Sequence, residues 1–91
     1  MTDQVTNNEA ASRYELDAGG ATALVVYSLS GDTLTFTHTE VPEELEGQGV
    51  GSRLVGGALE DVRRRGLRIV PVCSFVRHYV ETHPETEDLL A

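Results

Sequence analysis

A glycine-rich stretch at residues 46–51, with the sequence EGQGVG, is the segment whose composition most directly suggests chemistry. Three glycines in six residues are costly in backbone entropy, so such a stretch is typical of a loop with unusual dihedral angles or a closely approaching ligand. It lies between a predicted strand and a predicted helix, where backbone N–H groups and the helix dipole form an anion site. Position and composition together predict a phosphate-binding loop.

The residues around this stretch exclude two common phosphate-binding loops. A Walker A loop requires a lysine, and all seven basic residues of this chain are arginine. A dinucleotide-binding fingerprint requires G-x-G-x-x-G, but its sixth position is Ser52 when counted from Gly47 and Leu54 when counted from Gly49. The loop therefore fits neither class.

Two side chains that can carry protons precede the loop. In TLTFTHTEV, residues 33–41, alternation predicts a strand with Leu34, Phe36, His38 and Glu40 on one face. Glu40, at the strand end, is a candidate general base, and His38 is a second candidate base or proton relay because its unperturbed pKa is near neutral. The alternative for Glu40 is a solvated carboxylate at a strand end, and the alternative for His38 is a strand histidine whose hydrogen bonds are made by its neighbours.

The single cysteine, Cys73, ends the short apolar strand LRIVPVC and precedes a predicted helix. One cysteine excludes an intramolecular disulfide and a cysteine metal cluster. Cys73 is a candidate nucleophile because the next helix N-terminus lowers a thiol pKa; the alternative is a small buried hydrophobic residue. Cys73, His78 and His83 are each five positions apart, which is about 140° around a helix, so no metal site is predicted.

Apolar periodicity and turn signals predict the elements that must position these side chains. The strands are predicted at residues 13–17, 21–29, 33–41 and 67–73, and the helices at residues 52–66 and 75–83, with a final helical turn after Pro84. The order β-β-β-α-β-α predicts an α/β (α+β) fold. An antiparallel meander joins a parallel strand pair through a right-handed crossover, and Gly66 ends the crossover helix.

Length and charge set the broad class. A chain of 91 residues predicts one domain with a modest core. The net charge of -8 argues against a general nucleic-acid surface, and the arginines at 63–65 are interpreted as a solvated helix face. No transmembrane helix or signal peptide is predicted. We expect a disordered tail at residues 1–11, one domain at residues 12–91 and a cytoplasmic protein.

The glycine loop and its flanks resemble a known family. The run from Val41 to Gly51 is similar to the pyrophosphate loop of the GNAT superfamily of acyl-CoA-dependent N-acetyltransferases, usually written Q/R-x-x-G-x-G/A. Gly49 and Gly51 match the two small positions, whereas Glu46 stands where the pattern has Gln or Arg. The stretches HTEVPEELEGQGVGSRLV and PVCSFVRHYVETHPE resemble the compact, single-domain YjdJ-like GNAT family in particular, and the resemblance covers residues 13–90.

The resemblance implies that acetyl-CoA, or another acyl-CoA, is the co-substrate. The backbone amides around the glycines are expected to bind its pyrophosphate, and Arg53 is expected to contact a phosphate. The implied cofactor-binding residues are therefore Val41, Gly47, Gln48, Gly49, Val50, Gly51, Ser52 and Arg53. The Glu46 carboxylate would repel the pyrophosphate unless it points away.

The resemblance also implies a wedge between two parting strands that receives the pantetheine arm. The backbone around Val41 is expected to pair with that arm and to polarise the thioester carbonyl. Pro71 is compatible with the wedge because proline cannot donate to a strand ladder. Tyr79 is expected to protonate the departing thiolate, since its phenol has a pKa near 10. The alternative for Tyr79 is a core residue of an amphipathic helix.

The expected reaction is direct attack of a primary amine on the thioester, with Glu40 or His38 as the base. The acidic surface suits a cationic acceptor such as a polyamine, a basic peptide or an arylamine. Two other interpretations stay open. One is a non-catalytic acyl-CoA-binding or partner-binding module, because this compact form lacks two helices that wall the acceptor site in larger relatives. The other is an acyl carrier that uses Cys73. A monomer or weak dimer is expected.

Overall fold

The protein consists of a five-stranded sheet with two helices packed on it. The computed structural model describes residues 5–91, and the sheet order is β1-β2-β3-β4-β5. The strands are β1 (Val5–Asn8), β2 (Arg13–Ala18), β3 (Ala21–Ser30), β4 (Thr33–Glu40) and β5 (Arg68–Pro71). The helices are α1 (Val50–Arg64) and α2 (Ser74–Thr82), and short 3-10 turns occupy Glu9–Ala11, Glu43–Leu45 and Pro84–Leu89.

The strand directions follow from the lengths of the connections. Strands β1 to β4 pair antiparallel with their neighbours, whereas β4 and β5 pair parallel. The tight turn between β3 and β4 contains Gly31 at φ 62°, a left-handed conformation that glycine adopts without steric cost. Helix α1 is the crossover that a parallel pair requires. The predicted meander joined to a parallel pair, with helices packed on the sheet, is confirmed.

An additional strand lies at the N-terminus. Strand β1 pairs with β2, from Val5 opposite Leu16 to Asn8 opposite Arg13. The Tyr27 hydroxyl donates to Asn7 Oδ1 at 2.6 Å. The expected disordered tail is therefore wrong for residues 5–11, and residues 1–4 of that tail lie outside the described residues. The polar sequence gave no strand pattern, because an edge strand is held by backbone hydrogen-bonding groups that nearly every residue carries.

The core lies between one face of the sheet and α1. The buried sheet residues are Tyr14, Leu16, Ala23, Val25, Tyr27, Leu34, Phe36 and Ile69, and the buried residues of α1 are Val50, Gly51, Leu54, Val55, Ala58, Leu59 and Val62. The α1 residues recur at i, i+3 and i+4, as the apolar stripe predicted. Helix α2 packs along α1, so the ring of Phe75 lies on Gly51 and the hydroxyl of Tyr79 lies near Gly56.

The C-terminal end of α1 is held by a cluster of polar contacts. Asp61 accepts a hydrogen bond from the Tyr14 hydroxyl at 2.6 Å and also accepts from Arg64 and Arg65. Arg63 forms a bidentate ion pair with Asp88, in which Nη1 and Nη2 donate to the two carboxylate oxygens. These arginines are thus ion-paired rather than only solvated. Beyond them, Gly66 stands at φ 68°, and the N–H groups of residues 66 and 67 bond back to the carbonyls of residues 63 and 62. The predicted glycine stop is confirmed.

A β-bulge changes the face on which the end of β4 lies. Val26 of β3 pairs with His38, but the next residue, Tyr27, pairs with Phe36, so Thr37 is an extra residue in β4. The extra residue reverses the alternation. The prediction that His38 and Glu40 share a face with Phe36 is therefore wrong: Phe36 is buried, whereas His38 and Glu40 are 59% and 62% exposed.

Candidate functional site

The parallel strands β4 and β5 part from each other at Phe36. Their ladder begins with Thr33 opposite Arg68 and ends with Phe36 opposite Pro71. The N–H groups of Val72 and Cys73 then both donate to the Phe36 carbonyl, at 3.1 and 2.9 Å. Pro71 stands at the point of separation, where its missing N–H costs no ladder bond. The remainder of β4 is left to face a cavity.

The cavity joins the end of β4 to the glycine loop and to the start of α1. Its volume is about 700 Å³. The lining residues are Thr22, the run from Thr39 to Pro42, Leu45, Glu46, Gly47, the run from Gly49 to Ser52, and Phe75. The structure therefore brings together Glu40, Val41 and most of the loop residues that the sequence indicated. Gln48 and Arg53 are not among the lining residues, although their chain neighbours are.

The glycine loop gives α1 an open N-terminus. Gly47 and Gly49 have φ values of 82° and 74°, which side-chain-bearing residues rarely adopt. The helix begins at Val50, two residues earlier than predicted, and its first backbone bond runs from the Arg53 N–H to the Gly49 carbonyl at 3.1 Å. The N–H groups of the first helical turn have no acceptor within a helix. They are available to an anion at this wall of the cavity.

Gly51 is a glycine for a different reason. A Cβ atom at this position would lie 2.5 Å from Cζ of Phe75, so the ring packs directly on the Gly51 backbone. The resemblance implied phosphate contact for all three glycines. The contact between Gly51 and Phe75 was not predictable from local patterns, because the two residues are distant in the chain and meet only when α2 packs along α1.

The side chains of Gln48 and Arg53 stabilise the loop from its outer side. Arg53 Nη1 donates to the Gln48 carbonyl at 3.0 Å, and Gln48 Nε2 donates to the Glu44 carbonyl at 3.0 Å. These bonds tie the loop to the 3-10 turn before it and to the first turn of α1. In this arrangement both side chains serve the loop conformation, and the expected phosphate contact of Arg53 stays a prediction.

Glu46 lines the cavity and is exposed. The residue belongs to the same wall as the first turn of α1. An anion that bound there would meet favourable N–H dipoles and an unfavourable negative charge together. The unusual residue noted in the sequence therefore bears directly on the site.

Glu40 and His38 form a hydrogen-bonded pair at the end of β4. His38 Nε2 lies 2.9 Å from Glu40 Oε2. Glu40 lines the cavity, whereas His38 does not and lies beside it on the exposed face of the sheet. A carboxylate at a cavity wall with an imidazole behind it can pass a proton from the cavity to solvent.

Thr39 is a site residue that was not predicted from the sequence. Because of the bulge at Thr37, its side chain points to the same face as Phe36, and its hydroxyl lies 3.1 Å from Sγ of Cys73. Burial raises the pKa of the Cys73 thiol, but hydrogen bonds from the Thr39 hydroxyl and from the backbone N–H groups of Val76 and Phe75 outweigh it, and the pKa is lowered overall. Regular alternation, without a bulge, would have placed Thr39 on the opposite face.

Tyr79 lies in a second concavity. This groove, with a volume of about 780 Å³, runs along the outer side of α1 and is lined by Gly56, Glu60 and His83 among others. The Tyr79 ring stacks on His83 with centroids 3.8 Å apart. Burial, followed by the charges of Glu85 and Glu60, raises the pKa of Tyr79. Tyr79 does not line the cavity that contains Glu40, but Ser52 and Arg53, two of the predicted cofactor-binding residues, line the groove with it.

A family model described as GCN5-related N-acetyl-transferase matches residues 13–89. The chain belongs to this family. Protein NATD1 of Xenopus tropicalis is 30% identical over 63 residues, which is 68% of this chain and 58% of the relative. This chain thus spans less than two thirds of that relative's length.

A solved structure gives the same assignment at the level of the fold. A GCN5-like protein of Staphylococcus aureus, assigned to the N-acetyltransferases and solved by NMR in solution, superposes with a TM-score of 0.74. The two chains are 28% identical, and the match covers 97% of this chain and 87% of the other. GCN5-related N-acetyltransferases generally use acetyl-CoA.

Two further observations concern this member of the GCN5-related N-acetyltransferase family. Within residues 5–91, no group of three or more His, Cys, Asp or Glu side chains is arranged to hold a metal ion. Among the helices of the same residues, none is long and apolar enough to cross a membrane.

Proposed function

We propose that the protein transfers an acyl group, most simply acetyl, from coenzyme A to a primary amine. The observation that carries the proposal is one cavity that connects the first turn of α1 to the last residues of β4, beyond the point where β4 and β5 part. One end of it offers backbone donors for a pyrophosphate, and the other end offers a carboxylate beside an open strand edge. Acetyl-CoA, when bound, supplies the activated thioester.

The binding end consists of backbone groups. The N–H groups of Val50, Gly51 and Ser52 would hold the pyrophosphate, aided by the dipole of α1. The left-handed Gly47 and Gly49 present the loop backbone without side-chain obstruction. Glu46 opposes this attraction, so the affinity for coenzyme A depends on how well the amides offset one carboxylate.

The reacting end is assigned to β4. Glu40 takes the proton of the attacking ammonium, and His38, at 2.9 Å, accepts or relays that proton to solvent. The backbone beside Val41, which lines the cavity directly after β4, would pair with the pantetheine arm and polarise the thioester carbonyl. The ionisable lining residues of the cavity, Glu40 and Glu46, are acidic, which favours a cationic acceptor such as a polyamine or a basic peptide.

Binding and turnover are tested separately. Acetyl-CoA is expected to raise the melting temperature of the protein. A panel of amines is then screened with acetyl-CoA, with release of free coenzyme A as the readout. Release with at least one amine supports the transferase, whereas the absence of any thermal shift with several acyl-CoA species contradicts the assigned cavity.

A non-catalytic acyl-CoA-binding module is the second candidate. The observation that favours it is the exposure of the His38 and Glu40 side chains, at 59% and 62%. Water is not excluded from such side chains, so their electrostatic interactions with a reacting group are weaker than in a closed active site. This module would show the thermal shift with acetyl-CoA but no release of coenzyme A with any amine.

The third candidate function is an acyl carrier that uses Cys73. Its support is the lowered pKa of the Cys73 thiol at the N-terminus of α2. Incubation with acetyl-CoA would then add one acetyl group to the intact mass of the wild-type protein, and Cys73→Ala would abolish the adduct. In direct transfer, no adduct forms.

A further inference from the structure

The proposed reaction needs a proton for the leaving group. Breaking the C–S bond of a thioester leaves a thiolate, and a positioned acid accelerates its departure. Tyr79, the acid implied by the family resemblance, lies in the groove on the outer side of α1 and not in the cavity. The cavity wall offers other hydroxyl groups, and they differ in their neighbours.

Thr39 is the lining hydroxyl that has a second proton source directly behind it. Ser52 lies in the first turn of α1, at the end assigned to the pyrophosphate. The Thr22 hydroxyl is bonded to Asp17, which is an acceptor and supplies no proton when ionised. The Thr39 hydroxyl instead lies 3.1 Å from Sγ of Cys73, and either atom can be the donor. Thr39 lines the cavity, whereas Cys73 is buried behind it and is 9% exposed. The bulge at Thr37 creates this arrangement because it turns Thr39 inward.

We propose that Thr39 and Cys73 form a proton relay to the sulfur of the leaving coenzyme A, an inference that rests on the proposed function. When the C–S bond breaks, its electron pair stays on the coenzyme A sulfur, and the Thr39 hydroxyl gives that sulfur a proton. Cys73 gives its Sγ proton to Oγ1 of Thr39 and becomes a thiolate. The base passes the ammonium proton to solvent, and solvent returns one proton to Cys73, so the protons balance.

The surroundings of Cys73 suit a sulfur that is transiently charged. Its Sγ faces the N-terminus of α2, where the N–H groups of Phe75 and Val76 point toward it. These donors keep the thiol pKa below its ordinary value of about 8.5, although burial opposes them, so a proton passes readily from Cys73 to a released alkyl thiolate.

The charged or titratable groups on the strands and helix that adjoin Cys73 are His38 and Glu40 of β4, Arg68 of β5, and Arg77, His78, Tyr79 and Glu81 of α2. Arg77, on α2, donates to the Val72 carbonyl next to Cys73. His38 and Glu40 flank Thr39 in β4, where they are hydrogen-bonded to each other and largely exposed.

Two substitutions at Thr39 test the relay. Thr39→Val removes the hydroxyl at nearly constant shape, and Thr39→Ser keeps it. Thr39→Val is expected to lower kcat at least about tenfold while the Kd for acetyl-CoA stays within about twofold, since a proton transfer is lost and no binding contact. Thr39→Ser should keep most of the wild-type kcat.

A second readout needs no turnover. The ultraviolet absorbance of the Cys73 thiolate, followed against pH in the protein without coenzyme A and corrected with Cys73→Ser, reports the thiol pKa without a reagent having to reach the buried sulfur. Thr39→Val should move this titration to higher pH because the thiolate loses a donor, and Thr39→Ser should restore it. An unchanged titration in Thr39→Val, or wild-type kcat in that variant, overturns the relay while leaving the transferase in place.

Cys73→Ser covers the case in which Thr39→Val does not fold. If Cys73 is the proton source, wild-type kcat should fall at high pH as Cys73 ionises. A serine hydroxyl does not ionise in this range, so Cys73→Ser should have a lower kcat and should lack that fall at high pH. Full activity in Cys73→Ser contradicts the relay. If the wild-type protein binds acetyl-CoA but releases no coenzyme A with any amine, the proposed function fails and the relay fails with it.

Discussion

The two ends of α1 differ in how their polar groups are satisfied. At the C-terminal end, Asp61 accepts hydrogen bonds from Tyr14, Arg64 and Arg65, and Gly66 closes the last turn. At the N-terminal end, the first-turn N–H groups border a cavity of about 700 Å³. The contrast favours a structural role for the C-terminal end and the proposed ligand-binding role for the N-terminal end. Substitutions at the two ends should therefore have separable effects.

The largest expected effect is on catalysis at the N-terminal end. Glu40→Gln should lower kcat/KM by about 100-fold, because the carboxylate that takes the ammonium proton is lost. The Kd for acetyl-CoA should stay within about twofold, since the substitution leaves the loop amides unchanged. Steady-state release of coenzyme A measures the effect.

Tyr79→Phe is the matched control for Glu40→Gln. It removes one hydroxyl from the groove on the outer side of α1, so kcat should stay within about twofold of wild type. A loss in Tyr79→Phe as large as that in Glu40→Gln would mean that the reaction takes place in the other groove.

The next effect is on stability at the C-terminal end. Asp61→Ala should lower the free energy of unfolding by about 2 kcal/mol, because the buried Tyr14 hydroxyl loses its partner and two arginines lose theirs. Asp88→Ala, which removes an exposed partner of Arg63, should cost less. Urea denaturation measures both. Acetyl-CoA affinity should be unchanged in Asp61→Ala under conditions where the variant is folded.

The same contact predicts a pH dependence. Burial raises the pKa of Asp61, but hydrogen bonds from Tyr14 and Arg65 outweigh it and lower the pKa overall. A carboxyl whose folded-state pKa is lowered stabilises the protein above its ordinary pKa of about 3.9, and that stabilisation is lost as the pH falls further. The stability difference between wild type and Asp61→Ala should therefore shrink below about pH 4. A difference that grew on acidification would contradict this assignment.

A smaller effect is expected on affinity at the glycine loop. Gly49→Ala places a side chain at φ 74°, which costs about 1 kcal/mol of stability and distorts the loop. Acetyl-CoA affinity should fall about tenfold as the amides lose their alignment. Gly31→Ala carries similar strain, at φ 62° in the β3–β4 turn, and should lose stability without losing affinity. Equal affinity losses in the two variants would mean that strain alone weakens binding.

The smallest effect concerns Glu46. Glu46→Gln should tighten acetyl-CoA binding about two- to fivefold at low salt, because one carboxylate near the phosphate donors is removed. The gain should diminish as salt is raised. Glu60→Gln removes the same charge from the groove on the outer side of α1 and should change the Kd little. Isothermal titration calorimetry at two salt concentrations distinguishes these outcomes. Weaker binding of acetyl-CoA by Glu46→Gln would contradict the expected repulsion and would mean that the Glu46 carboxylate contributes to binding.

Local patterns in the sequence predicted most of the fold. The alternation in β2, β3 and the first half of β4, the apolar stripe of α1 and the Gly66 stop each depend on residues close in the chain. The bulge at Thr37 was not predictable from alternation because it depends on pairing with β3. Strand β1 was missed because its side chains are polar and its stabilisation comes from the neighbouring strand.

The candidate site was predicted in part. The loop residues and Glu40 meet at one cavity because they follow one another in the chain. Thr39, Phe75 and the position of Tyr79 depend on how α2 packs along α1 and on which way β4 turns after the bulge. These are tertiary relations, and residue types and spacing alone do not encode them locally.

The most direct test is a titration of ¹⁵N-labelled protein with acetyl-CoA, followed by amide NMR shifts. The largest changes should fall on the amides of Gly47 and of residues 49–52, with smaller changes at Thr39 and Val41, while the amides of residues 56–64 stay nearly unchanged. This pattern would place the phosphates at the N-terminal end of α1. Changes concentrated around Gly56, Tyr79 and His83, or no changes at saturating acetyl-CoA, would contradict the assignment.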